Sequence, residues 1–260
     1  MTYHFLHCTD HAAVRDIVIN RPDKLNALNA ATIAELDRAF SEAGADPNVR
    51  VVVLSGAGGK AFVAGADISE LATASPLSAR ALSRAGQALM LRIERLGKPV
   101  IARIDGYALG GGLELAMACH LRIASDSARL GLPEITLGLL PGFGGTQRLT
   151  RIAGRAAALE LCLTGTPIDA ARAHALGLVS QVHPADRIVE ATRTLAERLA
   201  RSAPIAMTAI LDAILVGSDC GIEAGLDYET QQFAVCCTSA DMREGTQAFL
   251  EKRPAHFTGH

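Results

Sequence analysis

The chain has 260 residues, 49% of them hydrophobic, enough to bury a large core and to exclude a disordered or fibrous polymer. Its formal net charge of -2, with no Lys/Arg-rich run, argues against a sequence-independent hold on nucleic acid, because that affinity comes from neutralised phosphates. A small, largely apolar partner suits it better.

Val14 to Ile19 suits a strand, and Asn20 to Lys24 a turn. Residues 30–43 carry Ile33, Leu36 and Phe40 at helical spacing, with Asn29 as the cap. Val49 to Leu54 and Pro99 to Ile104 are short apolar runs rich in β-branched residues, the pattern of strands buried on both faces. Strands and helices alternate, so the class is α/β. The small polar stretch Ala72 to Ser78 marks a candidate mobile lid edge.

After Gly154 the pattern changes to short helical segments with one strand-like piece, Leu178 to Val182. From Pro204 onward the spacing predicts helices over 206–216, 222–236 and 242–252. These are apolar on more than one face and therefore suited to packing on the body or on another subunit. We divide the chain into a body over residues 1–200, carrying the site, and a helical region over 201–260.

Six cysteines show no CxxC pair or regular framework, which reads as buried, reduced thiols in a cytoplasmic setting. No window reaches the roughly 20 apolar residues of a membrane span, and Met1 to His7 lacks the pattern of a signal peptide. The expectation is a soluble, unprocessed protein with no membrane partner.

Several motifs fail on inspection. Gly56-Ala-Gly-Gly-Lys60 has Leu54 where a phosphate loop needs Gly, and Ala61 where it needs Ser or Thr. The eight histidines lack the spacing of a metal site, and no Ser sits in a Gly-x-Ser-x-Gly setting.

What remains is a pair of glycine-bearing loops, Ala64-Gly-Ala-Asp67 and Gly110-Gly-Gly112, and two acids, Glu114 and Glu134. Each loop alone reads as a tight strand-to-helix turn. Together they offer amides from two turns to an oxygen on which negative charge develops. Glu114 alone reads as a first-turn acid favoured by the helix dipole, but its neighbours Leu113, Leu115, Ala116 and Met117 are apolar. Desolvation that keeps one acid protonated would make the two a general acid and a general base.

At these residues the chain resembles the enoyl-CoA hydratase/isomerase (crotonase) superfamily, and within it the hydratases. The motifs are Arg21-Pro-Asp-Lys-Leu-Asn-Ala-Leu-Asn29, Ala61-Phe-Val-Ala-Gly-Ala-Asp-Ile68, Gly106 to Glu114, Pro133-Glu134, Pro141 to Leu149, and Glu244 to Pro254. The resemblance implies a spiral of repeated strand-strand-helix units with a carboxyl-terminal helical trimerisation region, assembled as a homotrimer or homohexamer.

It also implies that the Ala66 and Gly111 amides form an oxyanion hole for an acyl-CoA thioester. Glu114 would act mainly as base toward water attacking C3, and Glu134 would deliver the proton to C2. CoA would enter only as part of the substrate, with no metal or redox cofactor. Contacts to CoA or the acyl tunnel are expected from Lys24, Leu25, Ala27, Ala64, Asp67, Ile68, Ser69, Gly142, Phe233, Phe249 and Lys252, the last of which a neighbouring subunit could supply. Ser69, His120 and Cys237 depart from residues common in hydratases, Ser69 standing where Lys is frequent. Double-bond isomerisation is the nearest rival, since relatives specialised for it often lack the equivalent of Glu114. Non-catalytic acyl-CoA or RNA binding is less consistent with two retained acids and no basic patch.

Overall fold

The computed structural model describes residues 2–260. Strands β1 (Leu6–His11) and β2 (Val14–Ile19) pair antiparallel, and a 3-10 turn at Pro22–Lys24 leads to helix α1 (Ala30–Ala45). Asn29 caps that helix, its side chain accepting from the Thr32 amide at 2.8 Å. Three strand-strand-helix turns follow. The first is β3 (Val51–Gly56), β4 (Ala61–Val63), a short α2 (Ile68–Leu71) and α3 (Pro76–Glu94). The second is β5 (Val100–Ile104), β6 (Tyr107–Leu109) and α4 (Gly111–Ala118). The third is β7 (Leu121–Ser125), β8 (Arg129–Gly131), a 3-10 turn at Pro133–Leu137 and α5 (Gly145–Thr164), which breaks at Gly154.

Next come β9 (Ile168–Asp169), α6 (Ala170–Ala175), β10 (Gln181–His183) and α7 (Ile188–Ala200). The chain ends in α8 (Pro204–Gly217), α9 (Ile222–Thr238) and α10 (Ala240–Glu251).

Each turn gives its first strand to one sheet and its second strand to another. The larger sheet runs β1-β2-β3-β5-β7-β10 and is parallel except at β1/β2; the smaller runs β4-β6-β8-β9 and is parallel except at β8/β9. The period of two then sorts the side chains. Val52, Leu54, Val100 and Ala102 face the main core, while Val51, Val53 and Ile101 face α7 through Ile188 and Leu195. Burial on both faces explains why these strands read as continuous apolar runs. Helix α4 is buried at all eight positions, as expected of a helix that is apolar all round.

Two expectations need correction. Strand character at Leu178 to Val182 is confined to Gln181–His183, because the Leu178 and Val179 amides both donate to the Ala173 carbonyl and close α6. All six cysteines are free thiols, but not all are buried: Cys220 and Cys237 are exposed, the first at the turn after α8 and the second on the outer side of α9. Residues 72–75 join α2 to α3, and Ser75 caps α3, accepting from the Ser78 amide at 3.1 Å. The terminal helices pack on one another, α9 against α8 and α10, and leave Ile214, Phe233 and Leu250 69%, 71% and 80% exposed. No single helix among the described residues is long and apolar enough to cross a membrane.

Candidate active site

Strands β4 and β6 are parallel neighbours, and each runs into a glycine-bearing loop. After β4, Gly65 adopts a φ of +129° and Ala66 forms a bridge with Leu28. The Leu28 amide donates to the Gly65 carbonyl and the Asp67 amide to the Leu28 carbonyl, both at 2.8 Å, which leaves the Ala66 amide without an acceptor among the described residues. After β6, Gly110 sits at φ +51° and ψ −124°, backbone angles suited to glycine, and α4 begins at the next residue. Gly110 donates to the Gly131 carbonyl, whereas the Gly111 amide, in the open first turn of the helix, has no acceptor among the described residues. The two unused donors are close: a Cβ added to Gly111 would lie 3.5 Å from the Ala66 nitrogen.

Glu114 points inward from the same first turn and is 1% exposed. Its Oε1 accepts from the amides of Phe143 at 2.8 Å and Gly145 at 2.6 Å. Burial pushes this carboxyl up to about 7; the Gly145 amide opposes the rise, the Glu134 charge adds to it, and the Phe143 amide and Arg148 oppose it.

Glu134 follows Pro133 in the turn after β8. Its Oε1 packs against Gly110, 2.8 Å from where a Cβ would be, and its Oε2 is buried without a partner. Burial raises this carboxyl as well. An ionised oxygen left in that state is costly, so the site favours the protonated form, which has an O–H to donate. The Phe143 ring walls the site, packed so closely on Gly86 that a Cβ there would run into it, and 3.2 Å from a Cβ on Gly111.

The arrangement therefore offers two amides to one carbonyl oxygen and two carboxyls of raised proton affinity beside it. That equipment suits proton transfer at carbons adjacent to a carbonyl. The sequence model of the enoyl-CoA hydratase/isomerase family matches residues 9–260. The chain belongs to the enoyl-CoA hydratase/isomerase family.

Family members close in sequence include a short-chain-enoyl-CoA hydratase of Clostridium acetobutylicum, 43% identical over 91% of each chain. A crotonyl-CoA hydratase of Syntrophomonas wolfei is 40% identical over 93% of each. The crystal structure of an enoyl-CoA hydratase from Bacillus anthracis superposes with a TM-score of 0.96 at 40% identity, covering 99% of this chain and all of that one. The α/β spiral expected from the resemblance is thus the fold observed.

The remaining family-derived positions divide into two groups. Lys24, Leu25, Ala27, Ala64, Asp67, Ile68 and Ser69 form a continuous wall beside Ala66, because the two loops are laced together. Leu25 and Asn26 are both left-handed, which aims the Leu25 carbonyl at the Ala64 amide, 3.0 Å away. Asn26 is fully buried and satisfied, donating to the Ala57 and Ala61 carbonyls and accepting from the Arg21 amide. Ser69 spends its hydroxyl on the Asp67 carboxylate at 2.6 Å, completing the cap of α2. Gly142 joins the opposite wall, its carbonyl accepting from Ser83 and Gln87 of α3.

The second group is not gathered at this site within one chain. Phe233 and Phe249 stand out from α9 and α10, and Lys252 closes α10 in a left-handed conformation.

Sequence reasoning missed the residues that hold the acids and loops. Arg21 donates to the Ala27 carbonyl and to Asp67 at 2.9 Å, tying together the two loops of the first wall. Arg148 and the Phe143 and Gly145 amides hold Glu114 and its loop. The Pro141 to Leu149 motif flagged this region, but nothing in it says which amide meets which carboxylate.

Proposed function

We propose that this chain is an enoyl-CoA hydratase that adds water reversibly across the 2-trans double bond of an enoyl-CoA thioester. The observation that carries the reading is the convergence of two unused amides, at Ala66 and Gly111, with the buried Glu114 and with Glu134, whose Oε2 is buried without a partner. The thioester oxygen would accept from both amides, which are worth most as charge develops on it. Glu114, held by two backbone donors, takes a proton from water as the oxygen bonds to C3. Glu134 gives its proton to C2, and the electron pair of the double bond becomes the new C–H bond. The products are the 3-hydroxyacyl-CoA, a protonated Glu114 and an ionised Glu134, which exchange protons with solvent before the next turnover.

This chemistry needs no metal or redox cofactor; CoA arrives with the substrate. The wall from Lys24 to Ala27 and Ala64 to Ser69 is proposed to carry the CoA moiety. The exposed apolar positions of α8 to α10 support assembly as a trimer or a pair of trimers, in which Phe233, Phe249 and Lys252 would reach a neighbour's site. Six free thiols fit a cytoplasmic setting.

Loss of the enoyl-thioester ultraviolet absorbance of crotonyl-CoA tests the reading directly. Glu114→Gln and Glu134→Gln should each lower kcat by about 10²- to 10⁴-fold. Turnover at the wild-type rate in either variant refutes the two-carboxylate mechanism. Consumption of a 3-enoyl-CoA much faster than hydration of the 2-enoyl substrate would assign the site to isomerisation instead.

A further inference from the structure

Glu114 is backed by a chain of contacts that the hydration chemistry does not itself use. Arg148, in the first turn of α5, forks onto Glu94 near the end of α3, with Nε to Oε1 at 2.7 Å and Nη2 to Oε2 at 2.8 Å. Its remaining nitrogen, Nη1, donates to the Phe143 carbonyl at 3.0 Å. The amides on either side of Gly144, those of Phe143 and Gly145, are the two that hold Glu114 Oε1.

Gly144 itself sits at φ +105°, and a Cβ there would strike Arg148 Nη1, so the guanidinium lies directly against the turn. Glu94 is fixed in its own right. Its carbonyl accepts from His120 Nε2 at 3.1 Å, while His120 Nδ1 accepts the Val100 amide at 2.9 Å.

The ion pair is poorly exposed, 13% for Arg148 and 19% for Glu94. It borders an apolar cleft of about 780 Å³ lined by Met117, Met207, Leu211 and Ile214. In such surroundings a bidentate pair is strongly directional and a misplaced charge is costly. An ion pair kept there needs a reason beyond stability, since buried pairs often contribute little of it.

We propose that Arg148, clamped by Glu94, is the positioning residue for Glu114: it fixes the turn from Phe143 to Gly145 whose two amides hold the carboxylate. The inference rests on Glu114 being the base of the hydration reaction. Arg148 also acts at a distance through its charge. The groups facing Glu114 are the two amides, Glu134 from the turn after β8, Arg148 from the start of α5 and the Cys162 thiol farther along α5. The amides and Arg148 favour the ionised carboxylate, against burial and Glu134. Removing Arg148 therefore weakens the ionised form twice, by loosening the amides and by deleting a positive charge.

The test is the pH profile of kcat/KM for crotonyl-CoA hydration in Arg148→Met, Arg148→Lys, Glu94→Ala and the double variant Glu94→Ala/Arg148→Met, with Glu114→Gln alongside. Arg148→Met should move the acidic limb about one pH unit upward and lower kcat at least about tenfold, with KM nearly unchanged. Arg148→Lys, which keeps charge without the fork, should move it less, and the double variant should be no worse than Arg148→Met alone.

A merely structural residue would lower the melting temperature and the active fraction while leaving the limb in place. That outcome in Arg148→Met, or in Arg148→Lys if the former does not fold, overturns the proposal. If Glu114→Gln is inactive and the limb stays unmoved, the positioning inference fails alone; if Glu114→Gln hydrates like the wild type, the base assignment fails and this inference falls with it.

Discussion

Replacing Gly111 by alanine separates what its amide does for the reaction from what its backbone does for the fold. Gly111 has no left-handed φ, so alanine fits the backbone, and the first turn of a helix accepts it. The new methyl would meet Phe143 Cδ2 and Cε2 at 3.2 Å, a contact the ring edge relieves by shifting a few tenths of an ångström. Alanine's helix preference over glycine, up to ~1 kcal/mol in a helix interior and less in the first turn, offsets that strain. Stability should therefore change by less than ~1 kcal/mol, or about 2–4 °C in melting temperature for a chain of this size.

The same methyl, however, stands 3.5 Å from the Ala66 nitrogen, at the mouth shared by both donors. An oxygen accepting at ~2.9 Å from each amide would be pushed off at least one of them. Losing one such donor costs ~3 kcal/mol of barrier, or roughly 10²- to 10³-fold in kcat. Gly112→Ala is the contrasting control, because its Cβ collides with the Val63 carbonyl oxygen, a backbone atom that cannot swing aside. It should lower the melting temperature by several degrees through overpacking of ~1–3 kcal/mol. Crotonyl-CoA hydration and thermal unfolding of the two variants make the assay. Gly111→Ala hydrating within about threefold of the wild-type rate would refute the two-amide pocket.

Further predictions concern the acids and the first loop. If Glu114 is the base it must be ionised to act, and because burial raises it to about 7, kcat/KM should climb with pH through about 7; an acidic limb below pH 5.5 would count against that assignment. The same shift has a cost in stability. A carboxyl raised above its ordinary 4.5 contributes stability that is fully present below that value and is lost as pH rises through about 7, on the order of 3 kcal/mol in all. Glu114→Gln should thus gain melting temperature relative to wild type at pH 8 but not at pH 4.5, and an equal difference at both would contradict it. Asp67→Ala removes the cap of α2 and the Arg21 partner next to the Ala66 amide, costing ~1 kcal/mol of stability and lowering kcat more than it raises KM. A pure KM effect would confine Asp67 to holding CoA.

The larger sheet was legible wherever burial on both faces left a mark in the sequence, as at Val51 to Leu54 and Val100 to Ile104. Strand β1 was not, since Leu6 is its only buried residue and His7, Cys8, Thr9, Asp10 and His11 carry no alternation; pairing with β2 makes it a strand. The smaller sheet is built from strands of two or three residues, too short for any periodicity to register. At the site, residue types announced the donors and the acids, because two glycine loops taken together with two carboxyls in apolar company narrow the reading more than any of them alone. Their supports were invisible. The bonds from Phe143 and Gly145 to Glu114 span 29 and 31 positions, and that from Arg148 to Glu94 spans 54, so only the stacking of the turns reveals them.

The smaller sheet does more than close the core. Adjacent parallel strands lie ~4.8 Å apart. Two N–H groups that each reach one oxygen at ~2.9 Å, with a near-tetrahedral angle between them, require nearly that same separation. Strands β4 and β6 end side by side in loops that carry the free amides of Ala66 and Gly111, so the sheet's own repeat works as a gauge for a two-pronged acceptor site. The register shift between Ala61 and Val63 sets where along β4 that gauge is read. A slip of one residue would carry a prong ~3.3 Å out of reach. The proposed oxyanion pocket is therefore dimensioned by backbone pairing, and side chains around it are free to vary while the spacing stays fixed.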